Sequence, residues 1–226
     1  MRAPVDLAVA NNRIWCAIVC DSHGIAHDSN ERVWGALSKA PPYYPDAITI
    51  HPDVTLRDVE DFMENREFAS MKDSYANLDL SSRGFNVLFE AEWIYHAPAI
   101  GMEPAESSWQ WHAVASEEDL LPWSVANGTE TVIRTDLLRR NDVKIYMREE
   151  ADGLSGFIAS LGGNAIGISN VFSTGRTNES IWTDIVSIVS KQFPGIPMVG
   201  YERDDDLAAA LASGWTSIGP LRVWVR

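Results

Sequence analysis

The stretch at residues 167–182, GISNVFSTGRTNESIW, decides how the second half of the chain folds. Residues 166–172 are mostly apolar with β-branched and aromatic side chains, which predicts a buried strand. Residues 173–180 are polar, and residues 181–193 have the apolar spacing of a helix. A strand that leads through a polar loop into a helix presents backbone N–H groups at the helix N-terminus, where an anion binds. The stretch therefore predicts either a phosphate-binding loop or a simple turn.

A β-hairpin is predicted immediately before this loop. Residues 154–161 and 165–172 are apolar, and Gly162-Gly163-Asn164 between them accept positive φ. Helices and strands then alternate, which favours an α/β fold with a mixed sheet. The other elements expected in this half are strands at 85–95, 108–115, 143–148, 198–202 and 218–225, and helices beginning at 116 and at 204–213.

The first third of the chain predicts a smaller α/β segment. Residues 13–20, RIWCAIVC, are apolar and rich in β-branched and aromatic side chains, which indicates a buried strand. Residues 72–82 are polar and irregular, so we expect a boundary there between a segment at 1–80 and a domain at 85–226. The remaining elements expected here are a helix at 30–40 with Asn30 as N-cap, a strand at 47–50, and a helix at 56–64 capped by Thr55.

The composition limits the class of partner. The 226 residues carry a net charge of −14, whereas nucleic acids and anionic membranes attract surplus Lys and Arg. The sequence holds no apolar run long enough to span a bilayer, and residues 1–13 lack the apolar core of a secretory signal. With only two Cys, the reducing cytoplasm is the expected location. We therefore expect a small-molecule partner, with no nucleic acid and no membrane.

Three further stretches carry a resemblance to a known family. They are WHAVASEEDLLPW at 111–123, MVGYERDDDLAAALASGW at 198–215 and IGPLRVWVR at 218–226. Together with the hairpin and the order of elements, they resemble the GNAT superfamily of acyl-CoA-dependent N-acyltransferases. The resemblance implies a GNAT-like fold over residues 85–226, with residues 1–80 as an additional N-terminal α/β segment.

The resemblance also implies a cofactor site and a reaction. Acetyl-CoA would act as co-substrate, its pantetheine arm along a central strand that separates from its neighbour and its pyrophosphate on the loop that follows. The positions implied are Ile168, Ser169, Asn170, Val171 and Phe172 on the strand, and Gly175, Arg176, Thr177, Glu179 and Ser180 on the loop. The expected activity is direct transfer of the acyl group to a small amine or amino-acid-like acceptor.

Two positions depart from the family pattern. The loop contains Gly175 but lacks the family's other glycines, and Ala210 stands where the family usually has a Tyr that protonates the leaving thiolate. An alternative is therefore a catalytically degenerate GNAT-fold protein that binds a ligand or regulates a partner.

Tyr201 and Glu202 are the expected catalytic residues. They end the strand predicted at 198–202, and α/β folds bind ligands at strand ends. Glu202 is the acid expected to act as a base, and the alternative is helix capping or a salt bridge with Arg203.

Two other groups of residues suggest weaker hypotheses. Cys16, Cys20 and the histidines after them are residue types that bind zinc. On a strand, however, the two thiols would be about 13 Å apart. No metal site is therefore expected. The tryptophans at 109, 111 and 123 are interpreted mainly as core, with a substrate pocket or a homodimer seam as the alternatives.

Overall fold

One mixed sheet runs through the chain in the computed structural model, which describes residues 3–64, 66, 68–99, 110–150, 153–175 and 181–226. The predicted loop positions Arg176, Thr177, Glu179 and Ser180, and also Trp109, lie outside the described residues. The strands are β1 (His27–Ser29), β2 (Val33–Ala36), β3 (Ala47–Thr49), β4 (Ser70–Asp73), β5 (Asn86–His96), β6 (His112–Ala113), β7 (Val143–Glu150), β8 (Gly153–Gly162), β9 (Ala165–Ser173), β10 (Met198–Glu202) and β11 (Thr216–Val225). The helices are α1 (Pro4–Ser22), α2 (Leu56–Phe62), α3 (Glu117–Asn127), α4 (Ile181–Gln192) and α5 (Asp204–Ala212).

The second half follows the predicted order of strands and helices. β8 and β9 form the predicted hairpin, and Gly163 and Asn164 at its turn have φ of 62° and 68°. Two consecutive positive φ values define the tight turn that matches the twist of paired strands. α3 begins after Ser116, whose Oγ accepts a hydrogen bond from the backbone N–H of Asp119 at 3.1 Å. Capping and turn chemistry therefore fix these boundaries.

The strand predicted at residues 13–20 is wrong, because these residues belong to α1. The helix is buried along much of its surface, including Trp15, Ile18 and Val19. A helix covered on several sides loses its polar stripe, so its apolar run is nearly continuous and resembles a buried strand.

The helix predicted at residues 30–40 is also wrong, since β1 and β2 form an antiparallel hairpin there. The side chain of Asn30 accepts hydrogen bonds at 2.8 Å from the backbone N–H groups of Arg32 and Val33. The same contact that caps a helix closes a turn here. The predicted strand at 47–50 and the helix capped by Thr55 are confirmed by β3 and α2.

The sheet joins the first third of the chain to the rest. Its order is β1-β2-β3-β4-β11-β5-β10-β9-β8-β7-β6, and β4 pairs with β11 from Arg222↔Asp73 to Val225↔Ser70. Helices cover both faces. α4 and α5 pack on one face, over Ile166 and Met198, whereas α1 and α3 pack on the other. Residues from both ends of the chain therefore meet at the middle of the sheet.

Candidate functional site

β9 and β10 separate in the middle of the sheet. Their parallel pairing consists of Met198↔Ile166 and Val199↔Gly167, whereas β9 continues to Ser173 and β10 to Glu202. Beyond Gly167, the edge of β9 that faces β10 pairs with no strand in the described part of the chain. An unpaired edge presents backbone N–H and C=O groups that can bind an extended ligand.

A β-bulge in β9 accompanies this separation. The register between β8 and β9 shifts between Ile158↔Ser169 and Gly156↔Phe172, and Asn170 has φ of 53°. The carboxamide of Asn170 accepts a hydrogen bond from Asn127 Nδ2 at 3.1 Å and donates to Ser169 Oγ at 3.2 Å. A bulge bends its strand and strengthens the local twist, so it turns β9 away from β10.

Two adjoining cavities lie beside this gap, on the face covered by α1. The inner cavity has a volume of about 130 Å³ and is lined by Trp15, Ser169 and Asn170. The outer cavity has a volume of about 550 Å³ and lies over β4, β5 and β11, under the loop at residues 39–46. The two cavities share walls formed by Tyr43, Tyr44, Pro45, Lys72 and Tyr201.

Lys72 is the buried cation between the cavities, and its residue is only 4% exposed. Its Nζ donates a hydrogen bond to Asn12 Oδ1 at 3.1 Å and lies 4.1 Å from the ring centre of Tyr201 and 5.9 Å from that of Trp93. Aromatic faces attract an ammonium group through their quadrupole. Lys72 was not predicted as a site residue, because no motif in the sequence around it marks it.

The predicted catalytic residues Tyr201 and Glu202 end β10 and point to opposite faces of the sheet, as strand alternation requires. Tyr201 lines both cavities, and the predicted positions Ser169 and Asn170 line the inner one. Glu202 lies half-buried beside Asp206 of α5. Burial raises the pKa of Glu202 to about 8, the charge of Asp206 adds to this rise, and Arg203 opposes it. The structure therefore places Tyr201 at the cavities and Glu202 on the opposite face of the sheet, beside α5.

Arg203, the expected alternative salt-bridge partner of Glu202, forms its ion pair with Asp204. The guanidinium of Arg203 lies 3.4 Å from Asp204 Oδ2, in an exposed ion pair at the start of α5. A pair this exposed contributes little to stability.

A buried ion pair fixes the beginning of α4 against the sheet. Arg148 Nη1 donates to Asp184 Oδ2 at 2.7 Å, and both side chains are almost completely buried. Trp111 Nε1 donates to the same oxygen at 3.0 Å, and the guanidinium lies 4.8 Å from the Trp111 ring centre. Arg148 pairs across the sheet with Ser155, which pairs with Ser173 at the end of β9. The first turn of α4 is thus held next to the strand from which the loop departs.

Ala210 is fully buried in the core between α5 and the sheet, in the cluster that contains Trp182 and Trp215. Its methyl group supplies no proton. The position implied for the family's tyrosine is therefore a packing position in this chain.

The two cysteines are buried thiols on α1. Burial raises the pKa of Cys16 to about 11 and that of Cys20 to about 12. Thiols with such pKa values stay protonated near neutral pH, and metals bind thiolates. In the part of the chain that the structure describes, no group of three or more His, Cys, Asp or Glu is placed to hold a metal ion.

Among the comparisons with known proteins, only the solved structures match this chain. No family model matches the sequence, and no curated protein matches it. A functionally unknown conserved protein from Staphylococcus epidermidis ATCC 12228 has a similar structure, with a TM-score of 0.60 and 12% identity over 88% of this chain and 92% of that one. A protein from Novosphingobium aromaticivorans DSM 12444, assigned as a GNAT-family acetyltransferase, gives a TM-score of 0.57 and 9% identity over 99% of this chain and 97% of that one.

These similarities show that the chain has a GNAT-like fold with a mixed α/β sheet. The alignment with the Novosphingobium protein spans nearly the whole chain, so it includes β1–β4 and α1. Among the helices of the described residues, none has the length and apolar character needed to cross a bilayer.

Proposed function

We propose that this protein transfers an acyl group, with acetyl-CoA as donor, to the nitrogen of a small amine or amino-acid-like acceptor. The observation that carries the proposal is the separation of β9 from β10 after Gly167 and Val199. It leaves one strand edge open beside cavities that an acceptor can enter.

The proposed donor site uses the open edge of β9 and the start of α4. Backbone groups at residues 168–172 pair with the amides of the pantetheine arm, as a strand edge pairs with an extended chain. The pyrophosphate binds at the loop that leads into α4, because a helix N-terminus favours anions. The loop residues given this role are Gly175, Arg176, Thr177, Glu179 and Ser180. Bound acetyl-CoA supplies the acyl group as a thioester.

The proposed roles of Tyr201 and Glu202 follow their positions. Tyr201 forms part of the wall of the acceptor cavities, where its ring packs against Lys72 and Trp93. Glu202 acts as the base from the other face, through the gap at the strand ends. A carboxyl with a pKa near 8 can accept a proton from an amine at neutral to mildly alkaline pH.

The proposal also divides the chain into two parts. Residues 85–226 form the GNAT-like acyltransferase domain, and residues 1–80 form the α/β segment that supplies Lys72, Trp15 and the loop over the outer cavity. The free thiols of the protein suit the reducing cytoplasm.

A second candidate function is ligand binding without turnover. The observation that favours it is the alanine at position 210, which is buried in the core and has no proton to donate to the leaving thiolate. Turnover distinguishes the two candidates if acetyl-CoA binds.

Isothermal titration with acetyl-CoA, CoA and acetyl-pantetheine tests the donor site. We expect Arg176→Gln to weaken acetyl-CoA binding by about tenfold, the effect of losing one charged contact, and to leave acetyl-pantetheine unaffected because it lacks the pyrophosphate. Arg134→Gln, which changes an exposed arginine after β6 and α3, is the matched control.

Hydrogen exchange should slow at residues 168–172 when acetyl-CoA is bound. Absence of binding at millimolar acetyl-CoA rejects acyl transfer, whereas binding without acyl transfer to a panel of amines supports the second candidate.

A further inference from the structure

The outer cavity has an apolar body of the size that small ligands occupy. Its volume of about 550 Å³ falls within the usual range for ligand pockets, about 300–1,000 Å³. Leu88, Phe89 and Val223 form part of its wall, with the ring of Tyr201 where it meets the inner cavity. An aliphatic or aromatic group of several carbons would bury its surface there.

The cationic end of this cavity lacks an internal counter-ion. Lys72 forms no ion pair with a carboxylate among the described residues, although its residue is only 4% exposed. Its polar contact is the neutral amide oxygen of Asn12. A buried charge without an opposite charge is costly, and a ligand anion would reduce that cost.

The acids near Lys72 are already engaged by other donors. Asp46, which lines the outer cavity, accepts hydrogen bonds from the backbone N–H groups of Ala40, Ala69 and Ser70 and from the Ser70 hydroxyl, at 2.8 to 3.1 Å. Asp73 accepts from the N–H groups of Leu78 and Tyr75. Neither carboxylate forms an ion pair with the ammonium group of Lys72 among the described residues.

A second lysine lies at the same cavity. Lys39 lines it together with Lys72, and Asp46 is the one acid among the described residues of the lining. The lining is therefore net positive on a chain with a net charge of −14. Such a local field favours an anionic ligand.

We propose that the acceptor is an α-amino acid with a large apolar side chain, held by its carboxylate on the ammonium group of Lys72. This inference rests on the proposed acyl transfer and names its substrate class. The side chain occupies the outer cavity, and the amine points towards the inner cavity beside Ser169 and Asn170. Lys72 is therefore a substrate-binding residue whose carboxylate contact fixes the position of the amine.

The reaction balances without a further reagent. The amine nitrogen forms a bond to the thioester carbonyl carbon, and the bond between that carbon and sulfur breaks. The proton released by the amine ends on the sulfur, so the products are an N-acyl amino acid and free CoA. No atom changes its oxidation state.

Binding of three matched ligands tests the inference by isothermal titration. They are 3-phenylpropionate, its neutral amide, and phenethylamine. We expect 3-phenylpropionate to bind the wild type at least about tenfold more tightly than either of the other two, because a desolvated charge pair contributes this much or more. Equal binding of the carboxylate and its amide, or no binding of the carboxylate at millimolar concentration, overturns the inference.

A variant then assigns the effect to Lys72. Lys72→Met keeps an unbranched side chain that fills the same space, and it should lower the affinity for 3-phenylpropionate by at least about tenfold. Lys191→Met, at the exposed end of α4, is the control for loss of one positive charge. Thermal unfolding checks that each variant is folded. If Lys72→Met does not fold, the comparison of the carboxylate with its amide on the wild type still decides the question.

The two proposals fail in different ways. Carboxylate binding that depends on Lys72 without any acetyl-CoA binding supports this cavity and rejects the acyl transfer. Acyl transfer to phenethylamine at the same kcat/KM as to L-phenylalanine supports the transfer and overturns the assignment of the acceptor.

Discussion

The carboxamide of Asn11 in α1 lies against Gly167 in β9 so closely that a β-carbon at Gly167 would lie 1.8 Å from Asn11 Oδ1. Asn11 Nδ2 donates to the carbonyl oxygens of Ser160, Gly162 and Ala165 at 2.9 to 3.1 Å. The helix is thereby locked to the β8–β9 hairpin at the point where β9 leaves β10.

Gly167→Ala should lower the free energy of unfolding by about 3 kcal/mol, since the added methyl group displaces Asn11 in a packed core. Urea denaturation measures this change. Asn11→Ala should partly relieve the clash, so the two substitutions together should cost at least about 1 kcal/mol less than their sum.

Gly24→Ala is the control for the loss of a glycine as such. Its φ is 68° and a β-carbon would meet nothing within 4 Å, so only backbone strain of about 1 kcal/mol is expected. Equal effects of Gly167→Ala and Gly24→Ala would contradict the packing argument.

The sequence predicted the second half of this fold well because local chemistry fixes it. The Gly163-Asn164 turn and the Ser116 cap are short-range devices, and the periodicity of the strands agrees with them. The wrong predictions lie where tertiary contacts decide. Residues 13–20 form a helix covered by the sheet and by other elements, so the helical period is hidden in an apolar run.

The candidate site could be predicted only in part for the same reason. The family resemblance implied Ser169 and Asn170, and the end of a predicted strand indicated Tyr201; the structure places all three on the wall of the inner cavity. Lys72 could not be found, since its contacts with Asn12 and Tyr201 join residues that are far apart in the chain. A single lysine on a short strand carries no pattern that indicates burial.

Breaking the pair between Arg148 and Asp184 should destabilise the protein strongly. Asp184→Ala removes the carboxylate to which the buried guanidinium of Arg148 and Trp111 Nε1 both donate, so a loss of about 3 to 5 kcal/mol is expected. The measurement is chemical denaturation at neutral pH. Asp142→Ala, which breaks the more exposed pair with Arg140, should cost no more than about 1 kcal/mol. Similar losses of stability for Asp184→Ala and Asp142→Ala would show that burial does not strengthen the pair between Arg148 and Asp184.

The bulge at Asn170 should depend on backbone freedom. Asn170→Val places a β-branched residue at φ of 53°, which should cost about 2 kcal/mol and flatten β9 towards β10. Asn170→Gly keeps the backbone conformation and loses only the side-chain hydrogen bonds, so it should cost about 1 kcal/mol. Thermal unfolding and titration with acetyl-CoA check both variants. The proposed role of the bulge predicts that the glycine variant binds acetyl-CoA and the valine variant binds it weakly; the reverse order would reject that role.

Glu202 should make stability and activity depend on pH in opposite directions. Its pKa rises from 4.5 to about 8 on folding, so between these values the folded protein keeps a proton that the unfolded chain releases. The contribution of Glu202 to stability is therefore complete below pH 4.5 and is lost as the pH rises through about 8. Each unit is equivalent to about 1.4 kcal/mol, and water at the half-buried side chain reduces the total to about 2 to 4 kcal/mol. Glu202→Gln cannot ionise, so it should be more stable than the wild type by this amount near pH 9 and equal to it near pH 4.

If Glu202 is the base, the acyl-transfer rate of the wild type should rise through pH 8, and Glu202→Gln should abolish that rise. Glu130→Gln, at an exposed position, is the matched control and should change neither profile. The stability of the wild type and that of Glu202→Gln could instead coincide from acid to alkaline pH. That result would show that the fold does not keep the Glu202 carboxyl protonated.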